Sequence, residues 1–183
     1  MYGFAPRTLL LAVAAGCAVF AGGVRAAAPI ADARIEVFKA GRELRVYSGD
    51  ALRKTYRIGL GSNPVPPKRR QGDRATPEGR YFISHRNPRS QFYLSLGVSY
   101  PNADDAERGL REKRITKTQR DRIVRAIDAH RPPPADTALG GDIFVHGRGS
   151  GSDWTWGCIA LDDADMKELY GSIDVGTPIT IRP

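Results

Sequence analysis

Among the side chains of this sequence, His146 and Cys158 are the pair whose types and spacing could do chemistry. An apolar run, Ile143-Phe144-Val145, delivers the histidine. A glycine- and serine-rich stretch follows, and Trp156-Gly157-Cys158 then enters a second apolar run, Ile159-Ala160-Leu161. A thiol is mostly protonated at neutral pH and attacks only as its thiolate, so it needs a base beside it. Two neighbouring strand ends joined by a loop would bring imidazole and sulfur within reach. The pattern implies a cysteine acyl-transfer site.

The start of the chain bears on where that cysteine works. Arg7 precedes an uncharged stretch over residues 8–24 with an apolar centre at 9–20, and Gly22-Gly23-Val24-Arg25-Ala26-Ala27-Ala28 follows. A positive beginning, a short apolar centre and small residues at alternate positions describe an export signal over residues 1–26, cut after Ala26 or Ala28. Glycines interrupt the run, and a membrane span needs about 20 apolar residues. Ala14-Ala15-Gly16-Cys17 resembles a lipoprotein box, and a membrane partner is expected only if Cys17 is lipidated. With the leader removed Cys158 is the sole cysteine, which rules out an internal disulfide and points to a reactive thiol. The expected location is the periplasm or cell envelope.

The remaining chain, about 155 residues, suits one domain with one core. Its formal charge of +8, or +6 without Arg7 and Arg25, suits polyanionic surroundings such as a cell-wall polymer. The basic runs lack interleaved aromatics, so nucleic acid is not an expected partner. Residues 34–38 and 44–47 alternate at period two around Ala40-Gly41-Arg42, a hairpin with Ile35, Val37, Leu44 and Val46 facing the core. A third strand is expected over 52–60. Residues 63–79 read as a proline-broken loop whose cations meet either solvent or an anionic partner. Residues 80–84 and 91–99 read as strands joined through Asn87-Pro88-Arg89-Ser90. Residues 102–135 form a charged insertion, with an amphipathic helix over 117–130 carried by Ile123, Val124 and Ile127. The sheet resumes at 142–146. Asp162-Asp163 caps a helix through Tyr170 that turns Met166 and Leu169 inward, and residues 176–181 close the domain as a strand. His85 and His130 lack partners at informative spacing, and no metal-ligand spacing is present.

Five blocks carry a resemblance: Gly72-Asp73 with Thr76-Pro77-Glu78-Gly79; Tyr100-Pro101-Asn102; His146-Gly147; Thr155-Trp156-Gly157-Cys158-Ile159; and Gly176-Thr177-Pro178-Ile179. Together they resemble the L,D-transpeptidase catalytic domain, or YkuD, family over residues 33–182. The resemblance implies a mainly β fold, a sandwich or barrel with short peripheral helices. It also implies action on peptidoglycan stem tetrapeptides, at the bond between meso-diaminopimelate and D-alanine, with no metal or organic cofactor. Cys158 would be the nucleophile, and His146 the base and then the acid, oriented by the Gly147 carbonyl. Backbone N–H groups, including that of Cys158, would hold the oxyanion, while Gly157 would let the acyl group approach closely.

One departure matters. Many members carry an arginine two residues after the nucleophile, where this chain has Ala160. Arg148 is the expected substitute for gripping a substrate carboxylate; Trp154 and Trp156 either line the cleft, with Trp156 as the substrate-binding one, or serve structural packing. Asp153 would either orient His146 or serve as a turn residue. The acceptor stays open: an amine in a cross-link, an attached wall protein or a D-amino acid exchange, or water in a carboxypeptidase or endopeptidase. A third reading is a non-catalytic wall-binding module.

Overall fold

The computed structural model describes residues 29–183, together with Met1 and Gly3. The expected leader and Cys17 therefore lie outside the described residues. Three strands open the domain, β1 (Ala33–Phe38), β2 (Glu43–Ser48) and β3 (Ala51–Arg57), paired antiparallel in succession. Strict alternation buries Ile35, Val37, Leu44 and Val46 on one face. Each buried aliphatic side chain of this kind stabilises the fold by about 1.5–3 kcal/mol. The turn between β1 and β2 places Arg42 at φ +54°, a left-handed conformation that costs a non-glycine residue energy and must be held from outside.

Strand β3 stops at Arg57, short of the expected Leu60. Residues 58–61 leave it to bridge the far edge of the sheet instead, where Gly59 and Ala160 exchange two backbone hydrogen bonds of 2.9 and 2.8 Å. That exchange curls the sheet toward a barrel. Strand β4 (Gly79–Ser90) then runs longer than expected. Its first residues pair with β8 (Pro178–Arg182), and its remainder with β5 (Tyr93–Val98). Asn87-Pro88-Arg89-Ser90, expected as a loop, belongs to β4. A register irregularity between Asn87 and Ser90 accommodates the proline, which cannot donate to a ladder. The connection shrinks to Gln91 and Phe92, which sets an aromatic ring at the hairpin tip.

The insertion holds two helices, α1 (Ala103–Arg111) and α2 (Lys117–Asp128), each started by a capping box, Asn102 with Asp105 and Thr116 with Gln119. Only α2 was expected; within it Ile123 is buried while Val124 and Ile127 are half-buried. Strands β6 (Phe144–His146) and β7 (Ile159–Ala160), helix α3 (Asp163–Ser172) and β8 complete the chain. The eight strands run in the order β3-β2-β1-β8-β4-β5-β6-β7. Met166 and Leu169 of α3 are buried as expected, but the Asp162 carboxylate accepts from the Ser150 N–H and hydroxyl rather than capping α3. The main core lies between sheet and α3, and a small second core of Ala106, Ile115, Ile123 and Leu139 lies within and beside the insertion.

Candidate active site

The end of the sheet formed by β5, β6 and β7 positions the two reactive side chains. β6 pairs antiparallel with β5, Ser95 opposite His146, and parallel with β7, Val145 opposite Ile159 and His146 opposite Ala160. Val145 and Ile159 point into the core. Side chains alternate along a strand, so His146 and Cys158, each one step from a core residue, project to the other face.

His146 is 2% exposed, and its Nδ1 lies 2.7 Å from the Gly147 carbonyl oxygen. A carbonyl can only accept, so Nδ1 carries the proton and Nε2 keeps its lone pair. Phe92 stacks on the imidazole at 4.7 Å between centroids, and Trp154 meets it edge-on at 5.6 Å. The Trp154 indole N–H donates to the Gly149 carbonyl at 3.1 Å, which fixes the ring. Burial pushes the imidazole below its ordinary pKa, against the opposing pull of the Gly147 hydrogen bond. The ring is held neutral.

Cys158 is half-buried, and its sulfur accepts from the Phe144 N–H at 3.4 Å and faces the Asp142 carbonyl at 3.6 Å. Burial pushes the thiol up to about 11, countered by the Phe144 N–H and by the Lys68 ammonium. The thiol is therefore neutral at rest, as is the imidazole on the same face. Thr155 shapes the turn before it, donating its hydroxyl to the Cys158 carbonyl at 2.7 Å and accepting from the Gly157 N–H at 3.2 Å. The Cys158 N–H has no protein acceptor among the described residues.

Gly157 has φ +119°, and a Cβ there would lie 2.6 Å from the Ala75 carbonyl oxygen. The glycine is required by the close pass of residues 74–76, a reason different from the acyl approach expected of it. Asp153 does not reach His146. Its carboxylate takes both Arg42 Nε and Nη2, the latter at 2.6 Å, and accepts from the Leu60 N–H at 2.9 Å. The aspartate expected as an orienting or turn residue instead ties the loop before Cys158 to the β1–β2 turn. Arg148 is exposed at φ +78°, its N–H donated to Asp163 Oδ1 at 2.8 Å. Trp156 is 72% exposed, with the Arg74 guanidinium 5.3 Å from its ring centre.

The loop over 63–79 divides its cations. Lys68 is buried and paired with Asp73 at 2.9 Å, whereas Arg70 and Arg74 are exposed. Lys39 reaches the same loop from below, pairing with Glu78 at 2.6 Å and donating to the Val65 and Pro66 carbonyls. A pocket of about 300 Å³ opens beside the imidazole, lined by Asn87, Ser90, Phe92, Ser95, Phe144 and His146. Sequence reasoning did not single out Phe92, and it read Lys68 and Arg74 only as members of a basic loop facing solvent or an anionic partner. Phe92 carried a faint signal, an aromatic ring beside a polar turn, whereas the other two were submerged in a basic loop.

Comparison with known proteins places this geometry. A family model described as the L,D-transpeptidase catalytic domain matches residues 32–181. The YafK protein of Escherichia coli strain K12 is 35% identical over 85 residues, which are 43% of this chain and 35% of YafK. The helical cell shape determining protein Pgp2 from Campylobacter jejuni superposes with TM-score 0.57 at 22% identity, covering 82% of this chain and 47% of Pgp2. An L,D-transpeptidase from Mycobacterium smegmatis gives 0.50 at 12% identity, covering 84% of this chain and 59% of that one. At these identities the two structures speak to fold alone. The match takes in little more than a third of the curated relative's length.

Proposed function

The chain belongs to the L,D-transpeptidase catalytic domain family, and from that premise we propose that it is an exported, peptidoglycan-modifying cysteine acyltransferase. The observation that carries the reading is the imidazole tautomer. With Nδ1 bound to the Gly147 carbonyl at 2.7 Å, Nε2 is left as a base on the face shared with Cys158. In the proposed first step the thiol exchanges its contact with the Asp142 carbonyl for Nε2 and gives up its proton. The sulfur then attacks the carbonyl of the third stem residue, meso-diaminopimelate. A thioester forms, the bond to D-alanine breaks, and imidazolium returns its proton to the departing amine.

Charge on the tetrahedral oxygen would be met by the Cys158 N–H, which is already in place and needs no reorganisation. Burial supports the sequence of events: a neutral thiol and a neutral base cost less to hold in an apolar setting than an ion pair. An amine acceptor then resolves the thioester. The reading places the protein in the periplasm or cell envelope, with stem peptides as its partner and, in one form of the reaction, a wall-attached protein as acceptor.

Mass analysis of purified disaccharide-tetrapeptide incubated with the full chain, beside Cys158→Ala, tests it. Release of D-alanine with a dimer linked between third residues is the expected result. Tripeptide alone would move the assignment to a hydrolase using water. No change that depends on Cys158 would overturn the catalytic reading.

A further inference from the structure

The residue two after the nucleophile, Ala160, supplies no cation here. Ala160 is fully buried, and its backbone exchanges hydrogen bonds with Gly59 where the sheet curls on itself. Its side chain alternates with that of Ile159 and so lies on the face of His146, its partner across the ladder, but it ends at Cβ and brings no charge there. Any cation that grips a substrate carboxylate must enter the site from another segment.

Two exposed arginines border it. Arg148 leaves the His146 side with its backbone tied to Asp163. Arg74 flanks the nucleophile side, and its surroundings are more developed. Residues 74–75 run against the nucleophile turn: the Arg74 carbonyl accepts from the Asn63 N–H at 3.1 Å, and the Ala75 carbonyl passes over Gly157. Arg74 itself has φ +59°, an uncommon conformation for a non-glycine residue that surrounding contacts must hold. Its guanidinium lies 5.3 Å from the centre of the Trp156 ring, and Trp156 is two residues before Cys158. No carboxylate lies within ion-pair distance of Arg74 among the described residues, although many of the chain's other arginines have one.

From this arrangement we infer that Arg74, seated on Trp156, is the carboxylate receptor of the site, in place of the expected Arg148. The inference rests on the peptidoglycan reading for the identity of the ligand. Arginine suits the task because its planar fork meets a carboxylate through two parallel hydrogen bonds while its face stays on the indole. Next to the scissile bond, a stem tetrapeptide offers such a group at its terminal D-alanine and at the side chain of its third residue. The receptor chemistry is the same for both.

The test measures binding to full-length Cys158→Ala by calorimetry, so that turnover does not enter. Three probes are used: the stem tetrapeptide, its terminal amide, and the tetrapeptide amidated at the third residue's side chain. One of the two amides is expected to bind at least about tenfold more weakly than the acid, and which one identifies the carboxylate. Arg74→Gln should erase that difference, Arg74→Lys should keep part of it, and Trp156→Leu should shrink it about threefold. Arg70→Gln, a neighbouring exposed cation in the same loop, controls for general charge. The inference is overturned if Arg74→Gln retains the preference, if Arg148→Ala alone removes it, or if neither amide is discriminated. D-Alanine release by the unaltered chain is scored separately. Release with an Arg74-independent preference sinks this inference and spares the function; an Arg74-dependent preference without release does the reverse.

Discussion

The two reactive residues are both neutral at rest, and that makes their behaviour with pH distinctive. The imidazole sits below its ordinary value of 6.5 because it is buried against Phe92 and Trp154, and the thiol is pushed up to about 11 by its own burial. The kcat/KM for stem tetrapeptide should therefore climb through an acid limb centred below pH 6.5 and stay level through neutrality, because the base is competent once its proton is lost. Alkylation of Cys158 by iodoacetamide should be slower at pH 7.5 than that of a free cysteine and rise toward pH 11. An alkylation inflection at or below pH 7 would instead reveal a preformed thiolate–imidazolium pair. Stability carries the same sign: the folded thiol keeps its proton longer than the unfolded one, so melting temperature should fall as pH rises from 9 toward 11. His146, Gly147 and Cys158 were legible in the sequence because their types and spacing are local. The Phe92 stack and the Arg42–Asp153 pair were not, since they join residues 54 and 111 positions apart.

At the scale of elements, the site depends on a loop with little regular structure of its own. Residues 147–158 are pinned at one end by Asp162 and Asp163, which accept from the Ser150 and Arg148 N–H groups. In the middle they are pinned by Asp153 on Arg42 and on the Leu60 N–H. Replacing Asp153 with alanine leaves both donors without that acceptor, and Arg42 loses the contact that helps hold its left-handed backbone. A destabilisation of about 1–3 kcal/mol is expected; on the proposed mechanism kcat falls about tenfold with KM nearly unchanged, because Asp153 positions the loop that ends in Cys158 without itself touching substrate. Asp153→Asn should recover part of the loss, as it can still accept from Leu60. Thermal melts and steady-state kinetics on the three proteins check this, and an unaltered kcat in Asp153→Ala would remove the loop anchor from the account. The hairpin of β1 and β2 was readable from alternation alone. α1 was not, although Asn102 and Asp105 announce its start, because Gly109 and a run of charges weaken its apolar stripe. The glycine is there for packing: a Cβ would come within 2.8 Å of the Leu139 side chain.

Across the whole molecule the chain builds two cores of unequal size, and they should not share one stability. The sheet and α3 enclose the larger, whereas α1 and α2 rest on a cluster of four buried residues centred on Ile123. What ties the insertion to the sheet is a stack of His130 on Phe82, 5.1 Å between ring centroids, and a set of polar contacts. The Tyr81 hydroxyl donates to Asp105 Oδ2 at 2.9 Å, Arg108 pairs with the same carboxylate, and the Tyr100 hydroxyl donates to the Leu139 carbonyl at 3.1 Å. Burial pushes the Asp105 carboxyl up while Arg108 and Tyr81 pull it down, so the tie opposes a desolvation cost and adds less stability than its bond count implies. The insertion is then a unit that opens before the sheet does. Ile123→Ala, which removes about 2–5 kcal/mol of packing from a fully buried site, should raise amide exchange across α1 and α2 by about thirtyfold or more. Exchange in β1 and β8 should stay within about twofold. Hydrogen-exchange mass spectrometry resolves the two segments directly. Equal acceleration in helices and sheet would mean one cooperative unit. In that case the polar tie through Asp105 would be stronger than its buried charge allows, and the insertion could not move independently of the site that Lys68 borders.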